Sequence, residues 1–324
     1  MKHKQIGFTI VELLIVIVVI GILAGITIVA YNGIQNRAKV ASIQSDLLNN
    51  SKILDTFRYS PTNPSENYPA NASAANLDLS TGNTANYYNN VINNAYCLDI
   101  SNGTLSYYST SLNTSPQQGS CTVSNGLVGW WKMNGNMSDS AGSATATITD
   151  QTLTVGQNGV ASSAYNFLIN PMTSSSSALP TGSAARTVLV WAYLTQYPSG
   201  AYRMASAWGT GTAGAASGLS ITTAGYVTFN GNALDYSSDI ILPLNQWHLI
   251  GYSVAGTQLT IIYDNQTRLA TLPSSINTAS GSTHYIGAWT NGAFGWAGRL
   301  DDYRIYNRVL NSTELQTIYA GGAQ

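Results

Sequence analysis

Cysteine occurs only twice in this sequence, charged residues make up 8% of it, and its 13 basic side chains are matched by 14 acidic ones. Each shortage removes a class of function. Without a basic excess there is no footprint for a phosphate backbone, so nucleic acid is not an expected partner; Arg299, Arg304 and Arg308 are the one cluster of positive charge. Residues 127–324 contain a single glutamate, Glu314, whereas glycoside hydrolysis needs two facing carboxyl groups. His248 and His284 stand apart from each other and from any cysteine, so neither a zinc site nor a nucleophile with its base is expected. No proline falls between Phe8 and Phe57, so nothing of that kind interrupts a helix there. Solvation is left mostly to Asn, Ser, Thr, Gln and Gly, a composition suited to an extracellular surface.

Against this background one stretch stands out. Residues 8–30 form a run of 23 with one ionisable side chain, Glu12, long enough to cross a bilayer as a helix. Lys2, His3 and Lys4 flank it on one side, which predicts that the N-terminus stays cytoplasmic and that the chain beyond Tyr31 lies outside. A carboxylate inside an apolar helix is costly in lipid and calls for a partner. A secretory signal carries its cleavage site after the apolar core, but here the plausible cut lies before it, so the apolar segment is retained after processing.

The run Gly7-Phe8-Thr9-Ile10-Val11-Glu12 resembles the processing site of type IV prepilins and pseudopilins. The resemblance implies that a membrane-embedded prepilin peptidase cuts after Gly7 and methylates the new terminus at Phe8. It also implies that Glu12 pairs with that terminal amine on a neighbouring subunit during assembly. Many pilins carry a proline in this segment; here only Gly21, Gly25 and Gly33 can loosen the helix, each by roughly 1 kcal/mol relative to alanine. Loss of residues 1–7 removes Lys2 and Lys4, leaving eleven basic against fourteen acidic side chains.

Beyond the membrane, Val40, Ile43, Leu47, Leu54 and Phe57 fall on one helical face, and Pro61 and Pro64 end the helix. The stem is thus expected over 8–58, followed over 59–121 by a small, loop-rich pilin head. Outside the cell, Cys97 and Cys121 are expected to form a disulfide, which over a separation of 24 residues contributes about 3 kcal/mol. Tyr96-Cys97-Leu98, Tyr107-Tyr108 and Gly119-Ser120-Cys121 resemble the closing edge of such a head.

Residues 122–126 read as a linker, after which the composition turns to Trp, Tyr and Val in alternating runs. Arg186 to Tyr193, Trp247 to Val254 and Gln258 to Tyr263 read as strands, the last entering a turn at Asp264-Asn265-Gln266. With no helical stripe between them, a two-sheet antiparallel sandwich over 127–324 is expected. The segments Leu127 to Met133, Asp139 to Gly142, Val190-Trp191, Trp247 to Leu249 and Gly298 to Leu310 resemble, in order and spacing, a laminin-G-like, concanavalin A-like jelly roll. The expected fold class is therefore an α+β N-terminal pilin, with a long transmembrane helix and a small sheet, followed by an all-β jelly roll.

Relatives of that fold include carbohydrate binders, adhesion modules and glycosidases. Calcium is an expected cofactor, with Asp139 and Asp301 as ligands and Asn134, Asn136 and Asp302 as helpers. Trp131, Trp191 and Trp247 are expected in the core. Trp208, Trp289 and Trp296 are expected at a ligand-binding rim with Tyr202 and Tyr236. The combined expectation is a type IV pilus subunit, minor or at the tip, that assembles with other pilins and adheres to a surface glycan or protein. A pseudopilin of a secretion or DNA-uptake machine with a cargo-selecting domain is the first alternative. A membrane-anchored polysaccharide-acting enzyme is the second, opposed by the missing carboxylate pair.

Overall fold

A computed structural model describes residues 10–168, 170–289 and 294–324. It opens with a single helix, α1 (Ile10–Arg58), whose N-terminal apolar window has mean hydropathy 3.2 and stands clear of the rest of the chain. That window is long and apolar enough to cross a membrane. The distal part of α1 instead packs its Ile43, Leu47 and Leu54 against the head. Phe57 does not complete this stripe and is 38% exposed. Polar side chains share the buried face: Asp46 accepts hydrogen bonds from the Ser80 amide (2.8 Å), the Ser80 hydroxyl (2.7 Å) and Asn83 Nδ2 (2.7 Å), which ties helix to loop.

The head contains a one-turn helix, α2 (Ala72–Ala75), and the antiparallel meander β1 (Thr84–Asn90), β2 (Ala95–Asn102), β3 (Leu105–Thr110) and β4 (Asn113–Gln118). Tyr96, Leu98 and Ile100 of β2 alternate towards α1 with period two and bury against Leu47 and Leu54. Cys97, pointing the other way, is bonded to Cys121.

The sandwich is built from β5 (Leu127–Trp131), β6 (Thr152–Thr154), β7 (Ala164–Phe167), β8 (Met172–Ser175), β9 (Arg186–Leu194), β10 (Tyr202–Gly209), β11 (Ala216–Thr222), β12 (Tyr226–Asn230), β13 (Tyr236–Ile241), β14 (Trp247–Ala255), β15 (Gln258–Tyr263), β16 (Gln266–Thr271), β17 (Thr283–Ile286) and β18 (Gly298–Tyr306). Among the described residues these strands form two antiparallel sheets. One has the order β13-β12-β11-β10-β17-β8, the other β16-β15-β14-β9-β18-β7-β6 with β5 also paired to β18. Between them lies a core that includes Trp131, Val188, Val190, Leu219, Phe229, Tyr252 and Trp296.

The middle of the second sheet is buried on both faces, which explains why β9 reads Arg-Thr-Val-Leu-Val-Trp-Ala-Tyr-Leu with hardly a polar position. Its Val188, Val190 and Ala192 face the sandwich core, while Leu189 and Trp191 join a second cluster with Trp247, Leu249 and Tyr306. The cover over this outer face is α3 (Ser312–Gly321), through Leu315 and Ile318. Each such buried side chain contributes about 1.5–3 kcal/mol. Asn311 and Glu314 cap the helix reciprocally at 2.9 Å each, and Glu314 also holds Arg308 at 2.6 Å.

The same helix touches the head. Tyr319 stacks on Trp191 at 5.9 Å on one side, while Thr317 Oγ1 lies 3.2 Å from the Tyr108 hydroxyl on the other. Asn90, fully buried in the head, donates to the Tyr319 carbonyl at 2.7 Å and accepts from Gln157 of the sandwich; Gln157 in turn accepts from the Ala323 amide at 2.9 Å. The segment expected as a linker is fixed as well, with Tyr306 donating to the Val123 carbonyl and Arg308 to the Asn125 carbonyl, both at 2.9 Å. Head and sandwich are thus joined by a wedge as well as by a tether.

Candidate ligand-binding cleft

On the six-stranded sheet, a cleft of about 170 Å3 is lined by Tyr202 and Met204 of β10, Gly211, Asn230 at the end of β12, Asn232 and Asp235 of the following turn, Trp289 and Phe294. The turn is shaped by Gly231, where a Cβ would come within 2.9 Å of the Leu234 carbonyl oxygen. Asn232 adopts a left-handed φ of 55°, a conformation that asparagine tolerates better than most residues. Asp235 Oδ1 accepts the Gly231 amide at 2.9 Å, and Tyr202 donates to its Oδ2 at 3.4 Å. The opposite wall is stitched to β10 by the Met204 amide to the Phe294 carbonyl, and by Arg203 Nη1 to the Gly295 carbonyl, both at 2.8 Å. Tyr202 and Phe294 meet edge to face with centroids 6.2 Å apart.

Desolvation raises the Asp235 carboxyl above its ordinary value, while the hydrogen bonds from Gly231 and Tyr202 pull it down. The cleft therefore offers aromatic surface beside acceptor and amide groups, the pairing by which proteins hold a ring that is apolar on its faces and hydroxylated at its rim.

Of the three expected rim tryptophans, only Trp289 lines this cleft. Trp208 and Trp296 are fully buried, which corrects their assignment. Trp208 turns inward, donates to the Pro180 carbonyl at 3.0 Å and packs edge-on against His284, because its place on β10 faces the other sheet. Trp296 fills the core beside β18. Tyr202 is at the cleft as expected, whereas Tyr236 packs against the sandwich core. Asp235, Asn230 and Asn232 were not singled out in the sequence; the signal available was the turn Asn230-Gly231-Asn232-Ala233-Leu234-Asp235, dense in polar side chains between two strands.

The two aspartates expected to bind calcium serve the backbone. Asp139 accepts the Trp130 and Ala141 amides on Oδ1 (2.9 and 3.0 Å) and the Ala144 amide on Oδ2 (3.3 Å), the turn-stabilising role of a buried-side aspartate. Asn136 caps the Ser138 amide at 3.0 Å, and Asn134 is exposed. Among the described residues no group of three His, Cys, Asp or Glu side chains could hold a metal ion. His284 is enclosed by Ser174, Tyr303, Trp131 and Trp208, and burial lowers its pKa to about 3, so it is neutral and structural. Glu12 lies in the first turn of α1, while Gly7 and Phe8 lie outside the described residues.

Asp301 is fully buried, with Oδ2 accepting the Gln157 amide at 2.9 Å. Burial raises its carboxyl well above the ordinary value, and Asp302 adds to the rise. Over the interval between the unfolded and the raised folded pKa, the folded chain keeps a proton that the unfolded chain has released, so stability falls as pH rises. Asp301→Asn is expected to remove that slope and to raise stability at neutral pH relative to the parent. Urea unfolding of the detergent-solubilised protein between pH 4 and 8 checks this; parallel pH profiles for parent and variant would contradict it.

Residues 2–28 match the family model described as a prokaryotic N-terminal methylation motif, and residues 170–316 match that of the concanavalin A-like lectin/glucanases superfamily. The chain joins a type IV pilin N-terminus to a concanavalin A-like jelly roll. No curated protein sequence matches it. Among solved structures, a Trypanosoma rangeli sialidase is similar at 18% identity and TM-score 0.45, over 60% of this chain and 32% of the sialidase. Domain 4 of an extracellular arabinanase from Geobacillus stearothermophilus, solved with arabinotriose, is similar at 16% identity and TM-score 0.46, over 59% of this chain and 96% of that domain. The botulinum neurotoxin serotype G binding domain is similar at 15% identity and TM-score 0.46, over 60% and 50% of the two chains. The chain spans about a third of the sialidase and half of the neurotoxin binding domain.

Proposed function

We propose that this chain is a minor or tip subunit of a type IV pilus that displays its jelly roll for adhesion to a surface glycan or protein. The observation that carries this reading is the cleft of Trp289, Tyr202 and Asp235, presented on a jelly roll that is wedged onto the head of an assembly stem. The methylation motif supports processing by a prepilin peptidase at Gly7, and assembly with other pilins through α1. Before assembly the helix anchors the protein in the cytoplasmic membrane with its N-terminus inside; afterwards the jelly roll stands at the cell surface. A module of roughly 200 residues on every subunit would crowd a shaft, which favours a minor or tip position. The module binds rather than cleaves. Among the described lining residues Asp235 is the one carboxylate, and Glu314 is committed to its helix cap and to Arg308.

Two measurements test the proposal. Mass spectrometry of filaments sheared from cells is expected to find a mature terminus at Phe8 carrying one added methyl group; an uncut Met1 confined to membranes would remove the pilus assignment. Trp289→Ala is expected to weaken glycan binding tenfold or more, about 1.4 kcal/mol, with unchanged melting. Binding that survives this change would place the site elsewhere.

A further inference from the structure

Resting on that reading of the cleft, we infer that its ligand is a single sugar ring without negative charge, neutral or amino-bearing, and that acidic sugars are turned away. Size sets the first limit. The cleft encloses about 170 Å3, whereas pockets for drug-sized ligands run to roughly 300–1,000 Å3. One ring fills it, and any further residues of a glycan remain in solvent.

Charge sets the second limit. Among the described lining residues there is no Lys, Arg or His, and the one ionisable acid is Asp235. Its two oxygens are held by Gly231 and Tyr202 in one orientation, so the negative charge stays at the cleft. Arg203, next in sequence to Tyr202, does not line the cleft and spends Nη1 on the Gly295 carbonyl. A carboxylated sugar would therefore bring its charge against Asp235 with no cation to receive it. A hydroxyl or ammonium group instead finds an acceptor in Asp235, further polar partners in Asn230 and Asn232, and the rings of Trp289, Tyr202 and Phe294 to lie against.

A preference for uncharged rings sets this cleft apart from one that holds an acidic sugar through a basic wall residue. It is tested with the full-length protein in detergent at pH 7.5, titrated with methyl glycosides of galactose, glucose and arabinose, with glucosamine, and with glucuronic and N-acetylneuraminic acids. Binding is followed by saturation-transfer NMR and by its loss in Trp289→Ala. At least one neutral or amino sugar is expected to bind tenfold or more tightly than either acid. Asp235→Asn, which keeps an acceptor for the Gly231 amide, is expected to narrow that gap by improving binding of the acids. An acid that binds the parent protein as well as the neutral sugars do, with the same dependence on Trp289, would overturn the charge inference while leaving the cleft as the site. If no sugar shows binding that depends on Trp289 in a protein of unchanged melting temperature, the cleft reading itself falls, and the charge inference with it.

Discussion

Asp302→Asn is expected to lower the stability of the jelly roll by about 3–5 kcal/mol, the cost of leaving a buried charge without its counter-ion. Asp302 sits at a bulge where the register of β18 against β9 shifts between Asp301 and Arg304, and it adopts a left-handed φ of 46°. This conformation turns its carboxylate back onto Arg304, two residues along, which it grips at 2.9 Å through Nε and 2.6 Å through Nη2. Both side chains are buried. Burial by itself lowers the Arg304 pKa, but Asp302 and Tyr306 reverse this and hold the guanidinium charged. The carboxylate also receives the indole N–H of Trp130 and, at 3.1 Å, the Gln324 amide, while Arg304 lies over the Trp130 ring at 4.7 Å. Asparagine keeps the shape and tolerates the left-handed backbone, but its amide nitrogen cannot accept, so the change removes the charge together with one of the two oxygens that receive Trp130, Arg304 and Gln324. Adding Arg304→Met should return at least half of the loss, because removing both charges is far cheaper than orphaning one. Denaturant titration of the two variants decides it; a loss below about 1 kcal/mol for Asp302→Asn would show that Arg304 has another way to be satisfied.

Replacing Cys97 and Cys121 by alanine is expected to lower the stability of the head by about 2–5 kcal/mol. The bond closes a separation of 24 residues and spans the head from β2 to the start of the connection into the jelly roll. Reduction therefore frees more than the loop. The Cys121 amide donates to the buried Asp99 at 3.2 Å, and a Cβ on Gly321 of α3 would lie 3.7 Å from Cys97 Cβ, so the bond sits beneath the wedge between the two domains. Thermal unfolding with and without reductant should show a lower transition and, in the reduced protein, earlier release of the head than of the jelly roll. A single unchanged transition would contradict the expectation.

Much of this architecture was legible from local pattern. Residues 8–58 were expected as one helix, and α1 runs over Ile10–Arg58, because hydropathy and the terminating prolines both act locally. The strands at Arg186, Trp247 and Gln258 were equally plain, since β9 and β14 are buried on both faces and are apolar almost throughout. The pairing of the two cysteines also followed directly. The tryptophans separate what local pattern can and cannot decide. Trp208 and Trp296 neighbour glycine-rich turns as a rim residue would, yet whether they face core or solvent depends on which distant strand lies opposite. The helix α3 carried a readable capping signal in Asn311 and Glu314, but its contacts with Cys97, Tyr108 and Asn90 join residues some 200 positions apart. Asp235 carried only the signal of its polar turn, because its partner Tyr202 is 33 residues away.

The wedge of α3 also bears on how force travels. A module on a flexible tether reorients freely, and its tether stretches before load reaches the anchor. Here Trp191, Tyr319, Asn90 and Gln157 bridge the two domains directly, and the short connection at residues 122–126 is itself pinned. A pull on the jelly roll therefore loads the stem at once and at a fixed angle, as a lever loads its shaft, and the direction in which the cleft points is set by the orientation of the subunit.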